Sequence, residues 1–141
     1  MSTTETNTPA ENKALEAITQ IANDLVAHCN ALPAGGDFIS HDQTLWDKHY
    51  AESWDSVEGD GKVFTGRDAV IGKYKWWMEA FTCHSTKTTG PFVGPTGFSV
   101  IFDMDVEAND GSMPRTQMKE IANYTVENGK VTREEFRFAP C

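Results

Sequence analysis

The sequence predicts an acidic, soluble α+β domain in which a few N-terminal helices close a strongly curved antiparallel sheet around an internal, small-molecule-sized pocket. Three observations carry that expectation. Apolar residues recur at three-and-four spacing in the first part of the chain, and strict alternation replaces that spacing after Cys83. Helices first and long strands afterwards is the order of a segregated α+β fold. At 141 residues, 39% of them apolar and 11% aromatic, the chain is long enough to bury one real core.

The elements follow in order. Residues 1–10 are expected as a flexible tail and 11–141 as a single domain. Thr8-Pro9-Ala10-Glu11 combines a Thr cap, Pro at the first helical position and Glu three after the cap. Leu15, Ile18, Ala22, Leu25 and Cys29 then form one stripe, and Pro33-Ala34-Gly35-Gly36 breaks the helix. Ser40-His41-Asp42-Gln43 reads as a second capping box, opening a short helix through Leu45, Trp46, His49 and Tyr50. Residues 54–58, the turn Gly59-Asp60-Gly61 and Lys62-Val63-Phe64 form a small hairpin. Thr65-Gly66-Arg67-Asp68 opens a third helix carrying Val70, Tyr74, Trp77, Met78 and Phe81 at helical spacing. Strands follow over 84–93, 98–106, 117–126 and 131–138. Their turns are Gly94-Pro95-Thr96-Gly97, Asn109-Asp110-Gly111 and Asn128-Gly129. The last is the sharpest signal, because Asn-Gly accepts the two positive φ angles of a type I′ hairpin.

Charge and composition narrow the function. A formal net charge of −9, from 12 Lys and Arg against 21 Asp and Glu, argues against nucleic acid and against anionic membranes as partners. No apolar run reaches the ~18–20 residues of a membrane-spanning helix. Residues 1–12 lack the apolar stretch of a secretory signal, so the cytoplasm is the expected address. Cys29, Cys83 and Cys141 are too scattered for a disulfide framework or a zinc set and are expected as reduced, structural thiols. His41 and His49 do not share a helix face, so no metal site is expected. With neither a Gly-rich phosphate loop nor a Ser-centred nucleophile elbow, no cofactor is expected either.

Certain runs are more specific. They are Trp46-Asp47-Lys48-His49-Tyr50-Ala51-Glu52-Ser53-Trp54, the helix start Gly66-Arg67, and Lys119-Glu120-Ile121-Ala122-Asn123-Tyr124-Thr125-Val126. Asn128-Gly129-Lys130-Val131 and Glu134-Glu135-Phe136 complete the set. In these runs and in the order of its elements the chain resembles SnoaL-like domains of the nuclear transport factor 2-like superfamily, over roughly residues 11–138. The resemblance implies a cystatin-like α+β cone that pairs through its sheet as a homodimer. It also implies one of two functions. One is cofactor-free isomerase, dehydratase or cyclase chemistry by proton transfer on an apolar carbonyl-type compound. The other is a non-catalytic binding or assembly module. Ketosteroid isomerase-type members place a tyrosine near the end of the first helix, where this chain reads Val26-Ala27-His28-Cys29-Asn30-Ala31.

Candidate site residues come from ionisable groups on otherwise apolar faces, because burial tunes a pKa. Alternation puts Met118, Glu120, Ala122, Tyr124 and Val126 on one face of their strand, which makes Glu120 a carboxylate in an apolar row. It reads as a general acid or base. The alternative is an ion pair with Lys119, Arg133 or Arg137. His84 and Tyr124 are its candidate partners, and His84 also suits a role in binding a ligand carbonyl or in capping helix carbonyls. Trp46, Tyr50, Trp54, Phe102, Met118 and Phe136 are the expected ligand-binding wall. Phe98, Val100, Phe102, Met104 and Val106 share one face of their strand; if that face is the concave one, Asp103 and Asp105 point away from the pocket, and if a bulge re-aims the strand one of them enters it. One of the adjacent Trp76 and Trp77 is left for the pocket mouth or a partner subunit. His28, His41 and His49 are expected in solvated positions.

Overall fold

Thr8 opens the first helix, α1 (Pro9–Asn30), through a reciprocal capping box. The Glu11 amide donates to Thr8 Oγ1 at 3.1 Å, and the Thr8 amide donates to Glu11 Oε1 at 3.2 Å. The computed structural model describes residues 7–32 and 37–139. The breaker at 33–36, Cys141 and most of the expected tail lie outside the described residues. Helix α2 (Phe38–His49) starts earlier than expected, because its cap is Asp37 and not Ser40. The Asp37 carboxylate accepts from the Ile39 and Ser40 amides and from the Ser40 hydroxyl, which leaves Ser40 inside the first turn. Tyr50 was expected in this helix. It takes extended φ/ψ and begins β1 (Tyr50–Val57).

The remaining elements are β2 (Val63–Thr65), α3 (Arg67–Ala80), β3 (Phe81–Gly94), β4 (Gly97–Ala108), β5 (Thr116–Glu127) and β6 (Lys130–Phe138). Three helices pack on one curved, unclosed six-stranded sheet of order β2-β1-β6-β5-β4-β3. One pairing departs from the expected antiparallel pattern, since β1 runs parallel to β6. Parallel neighbours need a long connection rather than a hairpin. Everything from β2 to β5 lies between these two strands in sequence, so no local turn signal announces them.

Alternation places Phe98, Val100 and Val106 of β4 with Ala122 and Tyr124 of β5 on the inner face, all nearly or fully buried. All but Val106 meet Ile18, Ile21, Ala22 and Leu25 of α1 and Trp46 of α2 in the core. Asp103 and Asp105 face outward, as the alternation requires, and pair with Lys119 and Arg115. The β5–β6 hairpin turns on Asn128 at φ 52° and Gly129 at φ 75°.

Gly97, where β4 begins, is set by close approach: a Cβ there would lie 1.8 Å from the Tyr124 carbonyl oxygen. At Gly94, across the same turn, the nearest atom to such a Cβ is 4.0 Å away. Gly97→Ala should therefore destabilise the fold by roughly 3 kcal/mol or more through overpacking, with Gly94→Ala near neutral. Urea unfolding of the two variants checks this, and equal midpoints would contradict it.

Candidate functional site

The inner face of the sheet can be read as rows across its strands. Phe98, Tyr124 and Glu134 form the first row; Val100, Ala122 and Phe136 the second; Phe102, Glu120 and Phe138 the third. Helices α2 and α3 stand over these rows without filling the space, and a cavity of about 270 Å³ remains. Leu45, Trp46, Tyr50, Tyr74, Trp77, Phe102, Met118 and Phe136 supply much of its apolar wall. The ionisable side chains at its surface are Asp42, Glu58, Lys73, Glu120 and Glu134, with His41, three tyrosines, Cys29 and Cys83.

One end of this set is a closed hydrogen-bond chain. Lys73 of α3 is 2.6 Å from Glu58 and donates to Ser56 Oγ at 2.7 Å. Ser56 donates to Glu134 Oε2 at 2.8 Å, and Tyr50 donates to Glu134 Oε1 at 2.9 Å. The Lys73 ammonium also lies 5.0 to 5.5 Å from the ring centroids of Phe64, Tyr74 and Phe136, within cation–π range. Burial raises the Glu134 pKa, against the charge of Lys73 and the two hydroxyl donors. Burial, and then the Glu134 charge, push Tyr50, Tyr74 and Tyr124 well above the usual phenol value. All three are therefore neutral donors at physiological pH.

Glu120 behaves differently. It is half-buried between Phe102 and Phe138, and it makes no hydrogen bond or ion pair among the described residues. Arg133 and Arg137 are bonded to Glu135 on the outer face, and Lys119 to Asp103, so the expected alternative ion pairs do not form. Burial, and then the neighbouring charge of Glu58, raise the Glu120 pKa from 4.5 to about 7. A carboxyl poised there can take or give a proton at neutral pH.

The comparisons with known proteins come down on one family. A family model for the SnoaL-like domain matches residues 14–138, nearly the whole chain. The chain belongs to the SnoaL-like domain family. The structure of a candidate SnoaL-like polyketide cyclase from Mesorhizobium loti is similar, with a TM-score of 0.71 at 29% identity over 84% of this chain and 97% of that one. An NTF2-like protein of unknown function from Burkholderia pseudomallei gives 0.63 at 14% identity, over 89% of this chain and 90% of that one. A phenazine biosynthesis-related protein from Pseudomonas aeruginosa gives 0.64 at 15% identity, over 91% and 84%. The last two show the fold alone. No curated protein matches the chain.

This SnoaL-like domain gathers most, not all, of the expected site residues. Glu120, Tyr124, Trp46, Tyr50, Phe102, Met118 and Phe136 line the cavity. His84 does not: it projects from the outer face and pairs with Glu107 on β4, so it forms no acid–base pair with Glu120. The register of β3 shifts between Cys83 and Ser85, and Cys83 faces the cavity while His84 faces away. Trp54 is 1% exposed, packed behind the wall against Trp46 and Tyr50. It is core and not a lining residue. Of the tryptophan pair, Trp77 lines the cavity and Trp76 is exposed.

The other histidines are not solvated as expected. His28 and His41 stack with ring centroids 3.7 Å apart. His41 Nε2 donates to the His28 carbonyl, which also accepts from the Ala31 amide at the C-cap of α1, and His28 reaches Asp42 at 3.2 Å. His49 is bonded to Asp24, whose carboxyl it holds below the usual range. The Cys29 thiol lines the cavity and is pushed up to about 12 by burial, which keeps it protonated. Among the described residues, no three His, Cys, Asp or Glu side chains converge closely enough to share a metal ion.

Lys73 and Glu134 were missed at the level of sequence, although a signal existed for each. Glu134 alternates in step with Phe136 and Phe138 on β6, and Lys73 lies three residues from Val70 on the inner side of α3.

A raised carboxyl pKa means that folding favours the protonated form. The stabilising contribution of Glu120 is therefore complete below 4.5 and lost as the pH rises through about 7. Relative to Glu120→Gln, which has the same shape and no titration, the wild type should lose roughly 3 kcal/mol of stability between pH 4.5 and about pH 8. Urea midpoints across that range test it. A constant difference between the two proteins would show that Glu120 is not desolvated.

Proposed function

We propose that this SnoaL-like domain binds a compact, ring-containing and mostly apolar molecule in its cavity and moves a proton on it, with Glu120 as general acid or base. The observation that carries this reading is one carboxyl with no partner among the described residues, set between two phenylalanines in an open cavity. Proton transfer by a group tuned to near neutrality suits isomerisation, dehydration or ring closure at a carbon next to a carbonyl or its nitrogen equivalent. Tyr124 lies four residues from Glu120 on the same face of β5. On an extended strand that separates their Cα atoms by about 13 Å, so they flank a ligand from two ends and do not bond each other. Neutral Tyr124 then donates a hydrogen bond where charge develops. Lys73 is a positioning residue, holding Glu58 directly and Glu134 through Ser56 on one side of Glu120.

The test needs no knowledge of the natural substrate. A thermal-shift screen of neutral ring ketones and aromatic carbonyl compounds selects ligands, and proton exchange at their α-carbon in D2O is then followed by NMR. Wild type should accelerate exchange about 100-fold or more over Glu120→Gln. Equal rates would remove Glu120 from the chemistry and favour the non-catalytic binding or assembly reading.

We also propose that two copies pair through the outer face of the sheet. Ile121, 43% exposed, sits there on a central strand among charged pairs. Sedimentation equilibrium should give a dimer that Ile121→Glu converts to monomer. A wild-type protein monomeric at every concentration would refute the pairing.

A further inference from the structure

The charge balance of the cavity says what kind of molecule it takes. Four carboxyl groups line it, on Asp42, Glu58, Glu120 and Glu134, and Lys73 is the single Lys or Arg among the lining residues. Lys73 is already engaged by Glu58 and Ser56. Asp42 has His28, and Glu134 has Tyr50 and Ser56. Glu120 has no partner among the described residues. Tyr124, 6% exposed and on the same inner face, makes no side-chain hydrogen bond among them either, so its hydroxyl oxygen is free to accept as well as donate.

Lys73 illustrates what these walls accept. Its ammonium is held by a carboxylate and by the faces of Phe64, Tyr74 and Phe136, the chemistry that recognises a nitrogen cation. Around Glu120 the same groups recur: a carboxylate flanked by Phe102 and Phe138, with Lys73 already committed elsewhere. A ligand carboxylate or phosphate would enter against Glu58, Glu120 and Glu134, and no free Lys or Arg among the described lining residues would meet it.

From the excess of carboxyl over ammonium groups, the aromatic flanks of Glu120 and the unpartnered Tyr124 hydroxyl, we infer that the ligand is a nitrogen cation carried on a compact ring. Its protonated nitrogen pairs with Glu120, and carboxylates and phosphates are rejected. The inference deepens the proposed function and rests on the cavity being the ligand site. It also fits the proton chemistry. Removing a proton from a neutral ketone builds an enolate beside Glu58 and Glu134. When the acidic carbon adjoins a protonated C=N group, Glu120 takes the proton, the C–H electron pair becomes the C=C bond, and the C=N pair moves onto nitrogen. The product is a neutral enamine, so no new anion forms among the acids.

Three probes of one ring and different charge test this: 2-naphthylmethylamine, 2-naphthylmethanol and 2-naphthoate. Their dissociation constants are measured by calorimetry at about pH 8 on wild type and Glu120→Gln. The amine should bind wild type about tenfold tighter than the alcohol, with the carboxylate weakest. Glu120→Gln should erase the amine's advantage over the alcohol, and a far-UV circular dichroism spectrum matching wild type shows that the variant is folded. An amine no better than the alcohol, or a carboxylate that binds best, overturns the charge inference while leaving the cavity reading intact. Binding of none of the three overturns both. The wild-type ranking decides the charge class by itself, so a variant that fails to fold does not shelter the inference.

Discussion

A lone ammonium shut away from water costs several kcal/mol unless a counter-charge and hydrogen-bond acceptors meet it, and Lys73, with its side chain 8% exposed, is in that position. Meeting its needs ties together parts of the chain that are distant in sequence. The helix α3 supplies the ammonium, and Glu58, just past β1, supplies the carboxylate. Ser56 of β1 links it to Glu134 of β6. Ser56 and Glu134 are register partners in the parallel β1–β6 ladder, so their hydrogen bond follows from the pairing. A slip of one residue would turn Glu134 to the outer face and break the chain of contacts. The parallel pairing and the buried lysine thus depend on each other, and together they anchor α3 over one side of the cavity.

With that side closed, the two glutamates of the inner face divide their roles. Glu134 receives hydrogen bonds on both carboxyl oxygens, and Glu120, on the neighbouring strand, receives none among the described residues. The outer face makes the contrast sharper. Its arginines and lysines sit over their own acids, Arg115 on Asp105, Lys119 on Asp103, and Arg133 and Arg137 on Glu135. Exposed pairs of this kind add little stability. Their effect is spatial, because the sheet's positive charge is held on the far side from the cavity.

Local signals were legible where neighbouring residues alone decide the structure. The Thr8 capping box, the Asn128-Gly129 hairpin and the alternation of β4 and β5 all depend on contacts within a few positions, and each could be read directly. The Gly66-Arg67 helix start belongs to the same class. What escaped depends on packing between distant elements. A parallel partner for β1 leaves no turn to recognise. Trp54 and Trp46 have the same apolar character in the sequence, and it takes the packing of α2 against β1 to set Trp46 at the cavity with Trp54 behind it. His84 was misplaced because strand alternation gives two faces but does not say which of them is concave. The stacked His28 and His41 need the ends of α1 and α2 to meet, which no spacing rule encodes.

Glu120 was legible for the reason that it is unusual. A sequence that specifies its fold agrees with itself at every level, and departures from that agreement gather at working sites. Two other buried groups make no hydrogen bond among the described residues: the Trp54 indole nitrogen and the Thr88 hydroxyl. Both are neutral, so the cost of leaving them unpaired is modest beside that of a carboxylate, and neither alters its protonation state. A glutamine or methionine at position 120 would fill the same volume between Phe102 and Phe138 without the burden of a desolvated charge. Nothing in the packing, the outer ion pairs or the Lys73 network calls for an acid at that place. The fold that surrounds Glu120 does not account for its carboxyl; on the function proposed above, a molecule that enters the cavity does.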